Sequence, residues 1–316
     1  MKRFLIITSI NHPTEAVKKF ALLKDWQVVV VGDKKTPKDW ACDNVIYISC
    51  EEQEGFELPW NHYARKMIGY KYAIEHGAFV IAETDDDNIP NDNWCFPDDN
   101  DFPYCISNTG FVNIYSKFTE QHIWPRGLPF HAIKRKDEGR HKYTKEKVGI
   151  WQGLADEDPD VDAIYRLTGG ASCIFDKRGP VVLEKNVVSP FNSQNTCFRK
   201  NMFPLLYLPV TVNQRFADIL RGYVAQPIMW NAGYLLGFTE ATVVQKRNEH
   251  DLMLDFIDEF PCYTLSETAF QIANSSIKKE NSITENIAVV YEALFLEGIV
   301  TKDEASFLNQ WIRIVK

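Results

Sequence analysis

The stretch Ala78-Phe79-Val80-Ile81-Ala82-Glu83-Thr84-Asp85-Asp86-Asp87 decides the fold class of this chain. Its first five residues are apolar and predict a buried strand, and its last three are consecutive aspartates. In open α/β sheets, ligands bind beyond the carboxyl ends of the strands, which is where these aspartates would lie. The stretch therefore predicts a strand that carries functional groups at its end.

The segments before this strand alternate between strand and helix patterns. Apolar runs predict strands at residues 3–8, 26–31 and 45–48, and helical spacing predicts helices over 14–24 and 61–76. This alternation is typical of an α/β fold with a buried parallel sheet. Polar groups follow three of the strands, at residues 8–11, 32–33 and 85–88. Farther along the chain, we expect short strands near residues 163–167, 172–175 and 205–212.

The last part of the chain has the pattern of two amphipathic helices. Ser282 with Glu285, and Thr301 with Glu304, have the spacing of capping boxes. Gly298 lies between them at a position typical of a helix C-terminus. We expect both helices to pack on the main body.

Composition excludes several classes of protein. The 316 residues include 35 basic and 43 acidic ones, and a formal charge of −8 argues against a nucleic-acid partner. No apolar run approaches the roughly 18 residues of a transmembrane helix, and the N-terminus lacks a signal-peptide cleavage site. The seven cysteines are widely spaced without a Cys-x-x-Cys pair. They predict reduced thiols in a cytoplasmic protein, with neither a disulfide framework nor a zinc site.

The three aspartates at positions 85–87 are the sharpest sign of chemistry. Adjacent carboxylates repel one another unless a cation or hydrogen-bond donors compensate them. Oxygen ligands suit Mg²⁺ or Mn²⁺, and one or two carboxylates with phosphate oxygens commonly hold such an ion beside a nucleotide. The alternative is an acidic surface turn, since Asn88 and Pro90 are also typical of turns.

Other candidate residues have equally ordinary alternatives. Arg65 and Gly69 share one face of the predicted helix, where they could bind a phosphate and allow a close approach, or could simply be a surface arginine and a packing glycine. Asp218 lies close to Arg215 and Arg221, and it could be a general base with these arginines neutralising a diphosphate, or it could cap a helix. A lone histidine such as His250 is more often structural than a metal ligand. The chain contains neither a glycine-rich phosphate loop nor a Gly-x-Ser-x-Gly elbow.

A set of short segments, taken together, resembles the STELLO-like glycosyltransferase family, in the same order over residues 3–263. The segments are Thr8–Thr14, Val29–Pro37, Arg65–Tyr70, Glu83–Asn88, Ile123–Pro129, Gly153–Ala155, Asp158–Ala163, Asn192–Thr196, Leu206–Val210, Asp218–Tyr223 and Arg247–His250. The resemblance implies an α/β, GT-A-like (Rossmann-type) nucleotide-sugar-binding fold with a mixed central sheet. It also implies a glycosyltransferase domain over residues 1–263, with a C-terminal helical extension over residues 264–316 packed on it. The family is distantly similar to reversibly glycosylated polypeptides, which act as UDP-arabinose mutases.

The resemblance also implies roles for individual residues. Asp85 and Asp87 match the outer pair of an Asp-x-Asp motif that holds Mn²⁺ or Mg²⁺ on the donor diphosphate, and His250 is the candidate for a further metal ligand. If the reaction inverts the sugar, the general base is expected to be Asp218, with Asp162 as second choice. The residues expected to bind the donor are Thr8, Asn11, Asp33, Arg65, Gly69, Asp86, Arg126 and Arg221. The plant members carry a membrane anchor that we do not find in this sequence, so their Golgi placement is not carried over.

The function expected from these observations is a metal-dependent glycosyltransferase. It would transfer a sugar from a UDP- or GDP-linked donor to an unidentified acceptor, with neither nucleic acid nor membrane as partner. One alternative is a nucleotide-sugar mutase, which would share the whole donor site. The other is a non-catalytic nucleotide-sugar-binding scaffold, which would have no need to keep a cluster of repelling carboxylates.

Overall fold

The computed structural model of the chain describes residues 1–98, 102–105, 110–134, 143–144, 147–247 and 251–316. Its strands are β1 (Lys2–Thr8), β2 (Gln27–Val31), β3 (Val45–Ile48), β4 (Ala78–Asp85), β5 (Asn88–Pro90), β6 (Phe102–Cys105), β7 (Tyr143–Thr144), β8 (Lys147–Glu157), β9 (Val181–Leu183), β10 (Asn195–Arg199) and β11 (Tyr234–Gln245). Its α-helices are α1 (Glu15–Phe20), α2 (Lys66–Glu75), α3 (Phe130–Ile133), α4 (Ala163–Leu167), α5 (Gln214–Asn231), α6 (Leu252–Asp258), α7 (Phe260–Ser276), α8 (Ile283–Leu296) and α9 (Glu304–Val315).

The first half of the sheet is parallel and brings three strand ends together. β1 lies between β2 and β4, and β3 flanks β2. The register places Thr8 of β1 opposite Val31 of β2 and opposite Asp85 of β4. Because these strands are parallel, the polar segments that follow them leave from the same edge of the sheet. The predicted strands and their common polar edge are confirmed.

The second half of the sheet is mixed. β10 runs antiparallel between β4 and β8, β8 pairs in parallel with β11, and β9 runs antiparallel to β11. The strand order is β3-β2-β1-β4-β10-β8-β11-β9-β6-β7, with β5 paired to β11 off this path. The predicted α/β fold with a mixed central sheet and C-terminal helices is confirmed.

A short strand directly after the aspartates ties them to the end of β11. β5 pairs antiparallel with β11, so that Asn88 lies opposite Gln245. The backbone N–H of Lys246 also donates to the carbonyl oxygen of Asp87 at 3.1 Å. The end of β11 therefore becomes part of the same region as the aspartates, although it is far from them in sequence.

Helix α2 packs on β1 and β2 through a glycine. A Cβ atom added at Gly69 would lie 2.4 Å from Cγ2 of Ile6 and 3.0 Å from Cγ2 of Val31. Real Cβ atoms do not approach so closely, so the helix needs glycine here to lie against the sheet. The helix is shorter than the predicted 61–76, because a 3₁₀ turn covers Tyr63–Arg65 and α2 begins at Lys66.

The two predicted C-terminal helices are present as α8 and α9. Ser282 and Glu285 form the predicted capping box at the start of α8, and Gly298 follows that helix with a φ of 73°. The predicted boundary between residues 263 and 264 falls inside α7, which packs against α5. The helical extension is therefore continuous with the main body at that point.

The predicted capping box of Thr301 and Glu304 is wrong, because the Glu304 carboxylate accepts hydrogen bonds from another segment of the chain. This buried carboxylate accepts hydrogen bonds from the Tyr207 hydroxyl at 2.5 Å, from Val210 N at 2.9 Å and from Thr211 N at 2.8 Å. Asp303 occupies the N-cap of α9 without a side-chain cap. Glu304 thus fastens α9 to the segment that leads into α5.

The later strand predictions are also wrong. Residues 163–167 form α4, and residues 205–212 contain the end of a 3₁₀ helix (Lys200–Leu206) followed by turns. In the segment 172–175, Cys173 forms only an isolated bridge with Glu157. Short apolar runs are compatible with a buried strand or a buried helix, and periodicity alone does not separate them.

Candidate active site

A cleft with a volume of about 470 Å³ opens at the carboxyl ends of β1, β2 and β4, and we call it the main cleft. The residues predicted from sequence that line it are Thr8, Asn11, Asp33, Arg65, Asp85, Asp86 and Asp87. This is the position at which open α/β sheets bind their ligands. The parallel half of the sheet therefore brings most of the predicted donor residues into one cavity.

Asp85 is paired with a buried lysine. Its Oδ1 accepts a hydrogen bond from Lys66 Nζ at 2.9 Å and from the Tyr63 hydroxyl at 3.2 Å. Burial raises the pKa of the Asp85 carboxyl, and the lysine opposes that shift. Among the described residues, both hydrogen bonds to this carboxylate end on Oδ1, and the side chain keeps one third of its surface exposed.

Asp86 and Asp87 are held by donors on other elements. Oδ2 of Asp86 accepts hydrogen bonds from the Ser9 hydroxyl and from the Asn11 amide, the latter at 3.1 Å. Oδ2 of Asp87 accepts one from the Gln245 amide at 3.1 Å. The three carboxylates thus have separate partners on α2, on the loop after β1 and on β11.

The Asp87 carboxyl has a strongly raised pKa. Burial, followed by the charge of Asp85, raises its pKa to about 7. Two carboxylates that repel across a partly buried cleft are costly to ionise, and a cation between them would remove that cost. Among the described residues, no group of three or more His, Cys, Asp or Glu side chains forms a metal cage.

A second cavity of about 260 Å³ adjoins the main cleft, and we call it the inner cavity. Tyr63, Asp85, Arg215, Gln245 and Arg247 line both cavities. The inner cavity also exposes Arg126, Asp160 and Asp218. Its lining is almost entirely polar, as expected of a site for a hydroxylated or charged group.

Asp218 lies in the inner cavity and does not cap a helix. It is inside α5, whose N-cap is Asn213. Its carboxylate pairs with Arg126 Nη2 at 3.1 Å and accepts a hydrogen bond from the Ser193 hydroxyl at 3.2 Å. Although burial opposes it, Asp160 and Asp218 hold the pKa of Arg126 well above its usual range. The positive charge of Arg126 is therefore balanced by two protein carboxylates.

Asp162, the second candidate base, lies outside both cavities. It is fully buried and caps α4, with Oδ1 accepting from Tyr165 N at 2.8 Å. Its Oδ2 accepts from the Trp124 indole N–H at 2.7 Å. Burial raises its pKa to about 6. This geometry gives Asp162 a structural position as the N-cap of α4, and its role as a second-choice base stays a prediction.

Arg65 lines the main cleft but is tied to protein groups. Its Nε donates to Gln53 at 2.8 Å, its Nη1 donates to the Leu58 carbonyl at 2.9 Å, and its guanidinium lies 3.5 Å from the Trp60 ring centroid. The side chain shapes the wall beside Asp33. A ligand at this wall would meet a fixed guanidinium face.

Two of the predicted donor-binding residues are core residues. Arg221 is 2% exposed and forms an ion pair with Glu83, at 2.5 Å from Nη2 to Oε1. Gly69 is buried against β1 and β2, as described above. Neither lines the main cleft or the inner cavity. The structure thus places Gly69 as the packing glycine that was its alternative, and it places Arg221 in a buried ion pair that the sequence did not predict.

His250 lies outside the described residues, so its predicted role as a metal ligand stays a prediction. Arg247, three residues earlier, is described and lines both cavities. In the part of the chain that the structure describes, no helix combines the length and apolarity needed to cross a membrane.

Comparison with known proteins agrees with the motif resemblance. The chain is 27% identical over 342 aligned positions to "Probable glycosyltransferase STELLO1" of Arabidopsis thaliana, covering 99% of this chain and 44% of that protein. It is 30% identical over 272 positions to "Probable glycosyltransferase STELLO2" of the same plant, covering 77% of this chain and 35% of that protein. The chain is STELLO-like. It spans less than half the length of these curated relatives, and no family model matches it.

Solved structures with some likeness to this STELLO-like chain come from TarS 1–349 of S. aureus. The complex of TarS with UDP-GlcNAc is 14% identical, with a TM-score of 0.43 over 100% of this chain and 82% of that chain. The complex with UDP is 12% identical, with a TM-score of 0.41 over 100% of this chain and 90% of that chain.

The cations that face the cavities in this STELLO-like chain are mainly ones that sequence reasoning missed. Arg215 of α5 pairs with Glu259, and Arg247 after β11 pairs with Asp255 at 2.6 Å. Within the described residues, the Nε atoms of both arginines are buried without a hydrogen-bond partner. Burial, and then the charges of Arg166 and Arg215, lower the pKa of Arg247. The sequence placed Arg215 beside Asp218 as a possible phosphate-neutralising residue. Lys66 and Arg247 lie inside segments that resemble the family, but the sequence assigned neither of them a role.

Proposed function

We propose that this chain is the catalytic part of a glycosyltransferase that uses a nucleotide-activated sugar. The observation that carries the proposal is the single cleft in which the polar ends of β1, β2 and β4 meet, with three aspartates at its edge. The likeness to two proteins named as probable glycosyltransferases supports it. The proposed chemistry depends on how this cleft would bind a nucleotide-sugar donor.

The nucleoside end of the donor fits the side of the main cleft formed by β1 and β2. Thr8, Asn11 and Asp33 line that side, and the Arg65 guanidinium is fixed beside them. Hydroxyl, amide and carboxylate groups can bind the base and the ribose hydroxyls. This half of the site therefore fits a nucleotide such as a UDP or GDP moiety, and the diphosphate would extend toward the aspartates.

Asp85 and Asp87 fit a divalent cation shared with the diphosphate. Both carboxylates lie at the cleft, and the charge of Asp85 makes Asp87 more costly to ionise. Lys66 binds Oδ1 of Asp85, so Oδ2 stays available to a cation. Mg²⁺ or Mn²⁺ is commonly held by one or two carboxylates with phosphate oxygens completing its shell. Such an ion, when bound, supplies Lewis-acid neutralisation of the leaving diphosphate.

Arg215 and Arg247 provide positive charge at the junction of the two cavities. Their carboxylate partners on α6 and at the start of α7 hold them in place, which limits reorganisation when charge develops on a leaving group. Of the arginines expected at the donor, Arg126 and Arg221 are less suited to this role. Those two arginines are already neutralised by Asp160 and Asp218, and by Glu83, respectively.

Asp218 is the carboxylate we propose as the base if the reaction inverts the sugar, because it lines the inner cavity and Asp162 does not. Its ion pair with Arg126 must weaken as it takes the acceptor proton. Asp218→Asn should keep donor affinity and lose turnover, since a base acts only in the transition state. Equal turnover in this variant would remove Asp218 from the mechanism.

The test of the proposed function is product analysis with a panel of UDP- and GDP-linked sugars, in Mn²⁺ and in chelator, with and without candidate acceptors. A transferase should release nucleoside diphosphate faster when the right acceptor is present. Isomerised nucleotide sugar without acceptor would instead identify a mutase. Donor binding without any turnover would identify a scaffold, and no binding to any donor would refute the proposal.

A further inference from the structure

Lys66 occupies an unusual position directly beneath the aspartate triplet. Its side chain is fully buried at the start of α2. Its ammonium donates to the Tyr63 hydroxyl at 2.9 Å, to the Thr84 carbonyl at 3.1 Å and to Asp85 Oδ1 at 2.9 Å. These three acceptors use all three donors of the ammonium group. The lysine is therefore a fixed cation and not a mobile surface charge.

The ion pair between Lys66 and Asp85 lowers the negative charge that the aspartate triplet presents to a metal ion. Asp85 keeps an open oxygen toward the cleft, but its charge is already balanced by Lys66. Asp86 and Asp87, in contrast, are held mainly by neutral hydroxyl and amide groups. The cluster therefore presents one negative charge fewer to a divalent cation than it would without Lys66.

We propose that Lys66 is a positioning residue that weakens metal binding to the empty cleft and so couples it to the arrival of the donor diphosphate. The diphosphate brings the negative charge that Lys66 removes from the triplet. Binding of the metal and of the nucleotide then become mutually dependent, because each strengthens the other by the same factor. This inference rests on the proposed function for the identity of the diphosphate, but its first test uses the metal ion alone.

The direction of the effect separates this role from a purely structural one. A residue that only supports the fold would, when removed, leave metal affinity unchanged or lower. Removing the charge of Lys66 should instead raise the affinity for a cation, because the ammonium beside Asp85 no longer repels it. The titration is run at mildly alkaline pH, so that Asp85 stays ionised although its pKa rises further without the lysine. An opposite charge within about 4–6 Å changes the proton affinity of a carboxylate by roughly 10- to 1000-fold. We expect the effect on Mn²⁺ affinity to lie at the low end of that range, which is about a tenfold gain.

The experiment is calorimetric titration of the full chain with Mn²⁺ alone, for the unmodified protein, Lys66→Met and Lys66→Gln. The glutamine variant keeps a hydrogen-bond donor near Tyr63 and Asp85, and serves if the methionine variant does not fold. Lys71→Met is the matched control, since Lys71 lies on the same helix and forms its ion pair, among the residues described, with Glu75 of that helix. Tm measured with and without Mn²⁺ provides a second readout, because a ligand bound by the native state raises Tm.

We expect tighter Mn²⁺ binding and a larger Mn²⁺-induced Tm increase in the Lys66 variants, and no change in Lys71→Met. The increase in UDP affinity caused by Mn²⁺ should also shrink about tenfold in the Lys66 variants, by the reciprocity of coupled binding. Unchanged or weaker Mn²⁺ binding in a folded Lys66 variant overturns the proposal, as does the absence of Mn²⁺ binding in every protein. Failure of the unmodified protein to bind UDP even with Mn²⁺ would instead count against the proposed function.

Discussion

The buried pair of Arg221 and Glu83 gives a direct way to separate structural from ligand-binding arginines. Arg221 Nη2 lies 2.5 Å from Glu83 Oε1, and Arg221 Nη1 lies 3.1 Å from Oε2. Tyr70 donates a further hydrogen bond to the same carboxylate. Both charged side chains are almost completely removed from solvent. Replacing Arg221 by methionine would keep much of the side-chain volume and leave the Glu83 charge without a counter-ion.

Breaking a buried ion pair by removing one partner costs about 3–5 kcal/mol, because the remaining charge stays desolvated. We therefore expect Arg221→Met to lower the free energy of unfolding by that amount. Denaturant unfolding followed by tryptophan fluorescence measures it, with comparable slopes required for a valid comparison. Arg313→Met, at an exposed arginine of α9, is the matched control and should change stability little.

A double variant tests whether the cost comes from the lone charge. Glu83→Gln combined with Arg221→Met removes both charges, so its loss of stability should be smaller than the sum of the two single losses. Nucleotide affinity of a folded Arg221→Met protein should stay close to that of the unmodified chain. Unchanged stability together with a marked loss of UDP affinity would refute this reading and return Arg221 to the donor site.

Three further outcomes follow from the packing. Gly69→Ala should lower the free energy of unfolding by about 1–3 kcal/mol, because the new Cβ would meet Ile6, while UDP affinity stays the same; an equally stable variant would contradict this. Glu304→Gln should lower the free energy of unfolding by about 1–3 kcal/mol in the same assay, because the new amide N–H would lie against backbone N–H donors that now bind a carboxylate. An unchanged midpoint of denaturation would count against this prediction. The structure describes the side chains of six of the seven cysteines, and all six are free thiols. Mass spectrometry after unfolding without reductant should therefore find these six alkylated, and protected pairs would disagree.

The parallel half of the fold could be predicted from sequence because its information is local. Continuous apolar runs followed by polar residues mark β1, β2 and β4, and parallel pairing then brings residues 8, 33 and 85 to one edge. The capping box of Ser282 and Glu285 is local in the same way. These features require no knowledge of which distant segments touch.

The residues that sequence reasoning misplaced depend on distant contacts. Arg221 and Glu83 are 138 residues apart, and nothing local shows that they form a core pair. Glu304 has the spacing of a capping residue, but it is recruited by backbone donors 94 residues away at Val210. Lys66 lies inside a motif that resembles the family, yet its burial under Asp85 follows only from how α2 packs on the sheet.

The central claim is that the aspartate cleft binds a nucleotide diphosphate together with a divalent cation. Calorimetric titration of the full chain with UDP and with GDP, in Mn²⁺, in Mg²⁺ and in chelator, measures it most directly. The account predicts metal-dependent binding of at least one nucleotide, with affinity lowered roughly tenfold or more in Asp87→Asn, about 1.4 kcal/mol. Equal affinity in chelator, or full affinity in Asp87→Asn, would contradict it.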